Sequence, residues 1–138
     1  MTEIANTDQY DAWNGDSGQH WVTDADRRDR ILAPVADVLL AAAHLATGEG
    51  VVDIGCGCGA TTLAAARAVG PTGAVYGIDL SEPMLDVAHR RADGSGLSNV
   101  TLVQGDAQTH RFPALFDVTI SRFGTMFFAD QITALANL

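Results

Sequence analysis

The run Asp53-Ile54-Gly55-Cys56-Gly57-Cys58-Gly59-Ala60 sets three alternating glycines directly behind a short apolar stretch, Val51-Val52, that leads into it. Glycines at that spacing let a chain leave a strand through a tight turn and bring bare backbone against a ligand. A helix opening near Ala60 then aims its free amides and positive end into the same crevice. Residues 51 to 79 are therefore read as a nucleotide-type site. An acidic strand end, the glycine turn and a second acidic strand end face one crevice of an α/β sheet.

The chain around this turn alternates between strand and helix signals. Thr61 to Val69 is an alanine-rich helix stopped at Gly70-Pro71, and Ala74-Val75-Tyr76-Gly77-Ile78-Asp79 is a second strand. Ser81 is placed to cap a helix through Met84 and Leu85 towards Ala92. Val100 to Val103 predicts a third strand and Phe116 to Ser121 a fourth, with a last helix opening near Asp130. Such alternation implies parallel strands joined by right-handed crossovers, hence a doubly wound sheet with helices on both faces.

Upstream, Ile31, Leu32, Val35, Val38, Leu39 and Ala42 recur at helical spacing. Thr23 and Asp26 form a possible capping box, Pro34 is expected to kink or restart the helix, and Thr47 to Gly50 to end it. Residues 1–22 show no period and are read as an arm with one short helix, lying over the site. Its Trp13 and Trp21 either pin the arm to the body or close a ligand pocket.

At 138 residues, 47% of them hydrophobic, the chain suits one folded domain, 23–138, behind that arm. No apolar run is long enough to span a bilayer, and residues 1 to 11 lack a basic region of the secretory kind. A cytoplasmic protein is expected. The net charge of −9 argues against nucleic acid as a partner. All eight cations are arginines, and Arg27, Arg28 and Arg30 are expected to pair with Asp24, Asp26 and Asp29 on a solvated helix face. Cys56 and Cys58 are too close for a disulfide framework and too few for a metal site, so they are read as small side chains packed behind the turn.

The glycines alone leave the ligand class open. Gly55, Gly57 and Ala60 satisfy the dinucleotide pattern G-x-G-x-x-A, with Asp79 about twenty residues on, so an NAD-dependent oxidoreductase competes. Asp53 weighs against it. A carboxylate two residues before the first glycine would repel a pyrophosphate, yet could orient a ligand bearing an ammonium group. Asp79 offers two acceptor oxygens to the hydroxyls of a ribose. Leu80 and Met84 could cover an adenine, and Asp106, beside the small Ala107, could accept from its exocyclic amine. Simple capping roles for Asp79 and Asp106, and a core role for Met84, are the alternatives.

Together these residues resemble a class I S-adenosylmethionine-dependent methyltransferase. The matching pattern is Asp53, Gly55, Gly57 and Gly59 after the first strand, Gly77 to Leu85 after the second, and Gln104-Gly105-Asp106-Ala107 after the third. The similarity is greatest to the small-molecule branch of ubiquinone and menaquinone biosynthesis, and extends to Gln9–Trp21 and to Ser121–Asp130. It implies a Rossmann-like three-layer α/β/α sandwich and methyl transfer to a small-molecule acceptor, leaving S-adenosylhomocysteine. It also implies that Asp53, Gly55, Cys56, Gly57 and Gly59 lie at the methionine end of the cofactor. Asp79 would then sit at its ribose, with Leu80, Met84, Asp106 and Ala107 around adenine. Arg122 and Phe123 border the transfer site, and Trp13 or Trp21 covers the cofactor. Cys58 stands where that family commonly has threonine or serine.

The family's sheet has seven strands in the order 3-2-1-4-5-7-6, whereas this chain supplies about four, expected in the order 3-2-1-4. The pattern stops inside a helix at Leu138, so the expectation is a fold incomplete at its C-terminus, either active or a cofactor-binding module without turnover. The fourth strand then becomes an edge, and homodimerisation through it and the last helix is expected. No general base is named, since His20, His44 and His110 are poor candidates.

Overall fold

The computed structural model describes residues 3–138. Four strands, β1 (Gly50–Ile54), β2 (Ala74–Asp79), β3 (Val100–Gln104) and β4 (Val118–Ile120), form one parallel sheet in the order β3-β2-β1-β4. This is the expected truncated Rossmann-like order. The helices are α1 (Thr7–Asn14), α2 (Asp16–Thr23), α3 (Ala25–Ala43), α4 (Ala60–Val69), α5 (Glu82–Ser95) and α6 (Gln131–Asn137), with a 3-10 turn at Thr125–Phe127.

Alternation along the strands builds a core on each face of the sheet. Val51 and Val75 pack with Ala65, Ala66, Val69 and Ile120 on one side. Val52, Ile54 and Ile78 pack with Ala107, and with the partly buried Tyr76, Phe112 and Phe116, on the other. The register pairs Ile54 with Ile78 and Asp79 with Gln104, so the C-terminal ends of the three strands finish side by side. A crevice at those ends is what a doubly wound sheet offers a ligand.

Several local features differ from expectation. The first residues hold two helices rather than one, joined at Gly15. The capping box does not form: Thr23 closes α2, and its hydroxyl donates to the Gln19 carbonyl at 2.9 Å. Helix α3 runs through Pro34 and stops earlier than Thr47, at His44, which is left-handed with φ 48°. Its apolar face is only half used: Leu39, Leu40 and Ala43 pack on the core, whereas Ile31 and Val38 are 63% and 70% exposed. Asp26 and Asp29 bind Arg91 of α5, each at 2.8 Å, instead of their neighbouring arginines. Arg28 lies over the Trp21 ring, 4.4 Å from its centroid.

The expected caps of the later helices are present. Ser81 Oγ accepts from Met84 N, and the Asp130 carboxylate accepts from Thr133 N at 3.0 Å. Helix α6 is tied down by Asn137, whose amide donates to the carbonyls of Ala107 and His110 at 2.9 and 2.8 Å. Among the described residues no helix is long and apolar enough to cross a membrane.

Candidate functional site

The glycine turn is built by conformations that side chains resist. Gly55, Gly57 and Gly59 all have positive φ, at 69°, 54° and 87°. A Cβ on Gly55 would lie 2.8 Å from the Gly124 backbone, and one on Gly59 would lie 3.0 Å from Ala88. Gly77 is needed from the other side, because a Cβ there would meet Cys56 Sγ at 3.0 Å. The amides of Gly55 and Cys56 both donate to the Ile78 carbonyl, which seats the turn on β2.

Above the turn lies a cavity of about 460 Å3, inside the range of roughly 300–1,000 Å3 typical of small-molecule sites. Of the residues singled out in the sequence, Gly55, Cys56, Gly57, Asp79, Leu80, Met84, Asp106, Ala107, Arg122, Trp13 and Trp21 line it. Asp53 and Gly59 stand behind the wall. Asp53 is fully buried, with Oδ2 accepting from the Thr61 and Thr62 hydroxyls at 2.6 and 2.7 Å. Among the described residues its Oδ1 has no partner. Burial pushes this carboxyl up to about 6, opposed by the two threonines and by the charge of Arg122.

Asp79 presents its carboxylate at the end of β2. Oδ2 accepts from Gly57 N at 2.8 Å and Oδ1 from Ser81 N at 2.9 Å. Burial raises this group above the usual carboxylate range, and those amides work against the shift. Each oxygen keeps a further lone pair for a ligand hydroxyl. Asp106 is more occupied. Its Oδ2 accepts from the amides of Ala5 and Asn6, both at 3.0 Å, and its Oδ1 from Gln108 N at 3.0 Å. One acceptor position remains.

The first helices form the roof. Trp13 meets Trp21 and Phe127 edge to face, with centroids 5.8 and 5.4 Å apart. Asn14 donates to the Leu80 carbonyl at 2.9 Å, Ser81 Oγ to the Trp13 carbonyl at 2.7 Å, and Asn6 Nδ2 to the Phe127 carbonyl. Both tryptophans pack against Ala25, Cys58 and Met84 and line the cavity. Met84 likewise serves core and wall: it is 5% exposed, packs with Cys58 and lines the cavity. Both cysteines are free and buried, and burial raises both thiols, Cys58 to about 11. They are packed, protonated side chains. Among the described residues no cluster of metal-ligating side chains is present.

Sequence reasoning did not find Asn6, Leu32, Thr61 or Met126 on the wall. Asn6 carried no signal, being one polar residue in an aperiodic stretch. Thr61, one residue into α4, could have been found from its spacing to Asp53. The wall as a whole is apolar and aromatic, with acceptors gathered at the β2 and β3 ends. It suits a flat base and a polyhydroxylated sugar, with a tail over the glycine turn.

Comparison with known proteins gives the same direction. A family model described as a methyltransferase domain matches residues 51–138. Over 91 residues the chain is 44% identical to an aklanonic acid methyltransferase of Streptomyces sp. (strain C5), covering 65% of this chain and 41% of that protein. It is 40% identical over 92 residues to a demethylmenaquinone methyltransferase of Geobacillus stearothermophilus, covering 66% and 39%. A crystal structure of a SAM-dependent methyltransferase from Aquifex aeolicus superimposes with a TM-score of 0.68 at 25% identity, over 74% of this chain and 55% of that one. The aligned stretch thus spans about two-fifths of these curated relatives.

Proposed function

The chain belongs to the class I S-adenosylmethionine-dependent methyltransferase family, and we propose that its crevice serves methyl transfer to a small, flat, apolar acceptor. The observation that carries this reading is the composition of the wall, with carboxylate acceptors at the β2 and β3 ends, the glycine turn beside them and aromatic rings among the lining residues. When bound, S-adenosylmethionine supplies an electrophilic methyl group. The protein's residues position and desolvate the partners. On this reading Asp79 holds the ribose hydroxyls, the free position of Asp106 takes the adenine amine, and Leu80 with Met84 covers the base. Phe123, Met126, Phe127 and the two tryptophans exclude water around the acceptor, and in-line displacement needs chiefly such positioning.

Two curated relatives are named as methyltransferases of aklanonic acid and of demethylmenaquinone, which supports a small-molecule acceptor. Nucleic acid is not expected as a partner, given the charge of −9. A second copy of the chain is, through β4 and α6. Incubation with methyl-labelled cofactor and a panel of phenolic, quinol and carboxylic aromatics tests the activity. Label should move to at least one such acceptor, and Asp79→Ala should stop it. Cofactor binding without transfer to any acceptor would reduce the chain to a binding module.

A further inference from the structure

The cavity wall is polarised along the sheet. Asp79 and Asp106 stand at the β2 and β3 ends, and Arg122, just after β4, is the one cation among the wall's described residues. The strand order places the glycine turn between them. Two strand steps separate Asp79 from Arg122, roughly 10 Å.

Arg122 makes few direct contacts for so enclosed a cation, although its charge also acts on the buried Asp53 carboxyl. Its side chain is 12% exposed, and its ion pair with Asp29 is 3.6 Å long, beyond ordinary N–H···O hydrogen-bonding distance. Asp29 is already held by Arg91 at 2.8 Å. A guanidinium carries five donors in a planar fork suited to a carboxylate, and burial without such partners is costly. The loop that presents it is built rather than loose. Ser121 Oγ donates to the Ile54 carbonyl at 2.8 Å, Gly124 N donates to Ser121 Oγ at 3.1 Å, and Phe123 is held left-handed at φ 64°. A non-glycine residue kept in that region beside a cavity is a mark of positioning.

We infer that Arg122 is the carboxylate anchor of the crevice, its fork taking the α-carboxylate at the methionine end of the cofactor while the nucleoside lies over Asp79 and Asp106. The inference rests on the functional reading above and adds a polarity to it. A ligand anchored by its sugar at β2 extends its tail across the glycine turn towards β4, where the cation waits. A carboxylate on the acceptor would present the same chemistry, so the test separates tail from acceptor by using no acceptor.

Wild type, Arg122→Met and Arg122→Lys are titrated calorimetrically with S-adenosylhomocysteine and with 5′-methylthioadenosine, which keeps the nucleoside and thioether but lacks the amino-acid tail. Arg122→Met is expected to weaken S-adenosylhomocysteine about 10- to 100-fold, the loss of charge-assisted hydrogen bonds. Arg122→Lys should fall between, and methylthioadenosine should bind all three alike. That invariance also shows that the variants keep a folded nucleoside site. Equal affinity of wild type and Arg122→Met for S-adenosylhomocysteine overturns the anchor while leaving the functional reading intact. Parallel loss of both ligands overturns it too, since Arg122 would then support the whole cavity. Failure of wild type to bind either ligand defeats the functional reading and the anchor together.

Discussion

Asp53 sits enclosed at the end of β1, one oxygen bonded to two threonine hydroxyls and the other, among the described residues, without a partner. Its folded-state value of about 6 lies above the ordinary 3.8, so the fold holds the proton more tightly than the unfolded chain does. The stabilising contribution is complete below the ordinary value and is lost as pH rises through about 6. Asp53→Asn keeps the shape and an acceptor for the threonines. Relative to that variant, wild type should lose up to about 3 kcal/mol between pH 4 and 7 in urea unfolding. A difference that does not change with pH would contradict this account of the buried carboxyl. The glycines differ by the same local logic. A methyl on Gly57 would meet the mobile end of Met84 at 2.8 Å, whereas on Gly55 it would meet backbone. Both substitutions carry the left-handed penalty of about 1–2 kcal/mol, and Gly55→Ala should cost about 1–3 kcal/mol more, read from the same urea curves. The glycine pattern was legible in the sequence because positive φ admits few residues. Asp53's place behind the wall was not, because spacing along a strand says nothing of what its two threonine neighbours cover.

At the scale of elements, strands and helices from β1 to α5 were readable to within a few residues, since each is a local period closed by a glycine or a cap. The roof was not. Helices α1 and α2 lack an apolar repeat, and they are secured by contacts far along the chain: Asn14 to Leu80, Ser81 to Trp13, and Ala5 and Asn6 to Asp106. Such contacts stabilise a helix that propensity alone does not. Gly18 is the point where α2 meets both α1 and that attachment to the body, for a Cβ there would lie 2.0 Å from the Trp13 carbonyl and 3.0 Å from Ser81 Oγ. Gly18→Ala should therefore lift the roof while the sheet survives. Limited proteolysis should cut the variant within its first 23 residues, with far-UV dichroism retaining the α/β signature. Cleavage spread evenly over the chain, or none beyond wild type, would show that the roof is not separately hinged on this contact. The misjudged partners of Asp26 and Asp29 have the same origin. Neighbours in sequence compete with Arg91, which reaches them from α5 and also donates to the Cys58 carbonyl at 3.0 Å.

For the molecule as a whole, among the described residues β4 is paired on one side only, to β1. On the helices and the loop after β4, Ile31, Val38, Met126, Ile132 and Leu135 are all more than 60% exposed. Exposed apolar side chains and an unpaired strand edge both favour association, while a charge of −9 on each copy opposes it. Dimer should therefore appear in light scattering as concentration rises, and more readily in 0.5 M than in about 0.05 M salt. A monomer at every concentration and ionic strength would remove the proposed partner. The fold order was legible from the alternation of signals, whereas the exposed half of α3 was not, because an apolar stripe does not say which of its residues a short sheet can cover. The central claim concerns the crevice itself, and calorimetric titration of the folded chain with S-adenosylhomocysteine and, separately, with NAD tests it most directly. S-adenosylhomocysteine should bind at a single site that Asp79→Ala weakens at least tenfold, with no heat from NAD; saturable binding of NAD but not of S-adenosylhomocysteine would contradict the account.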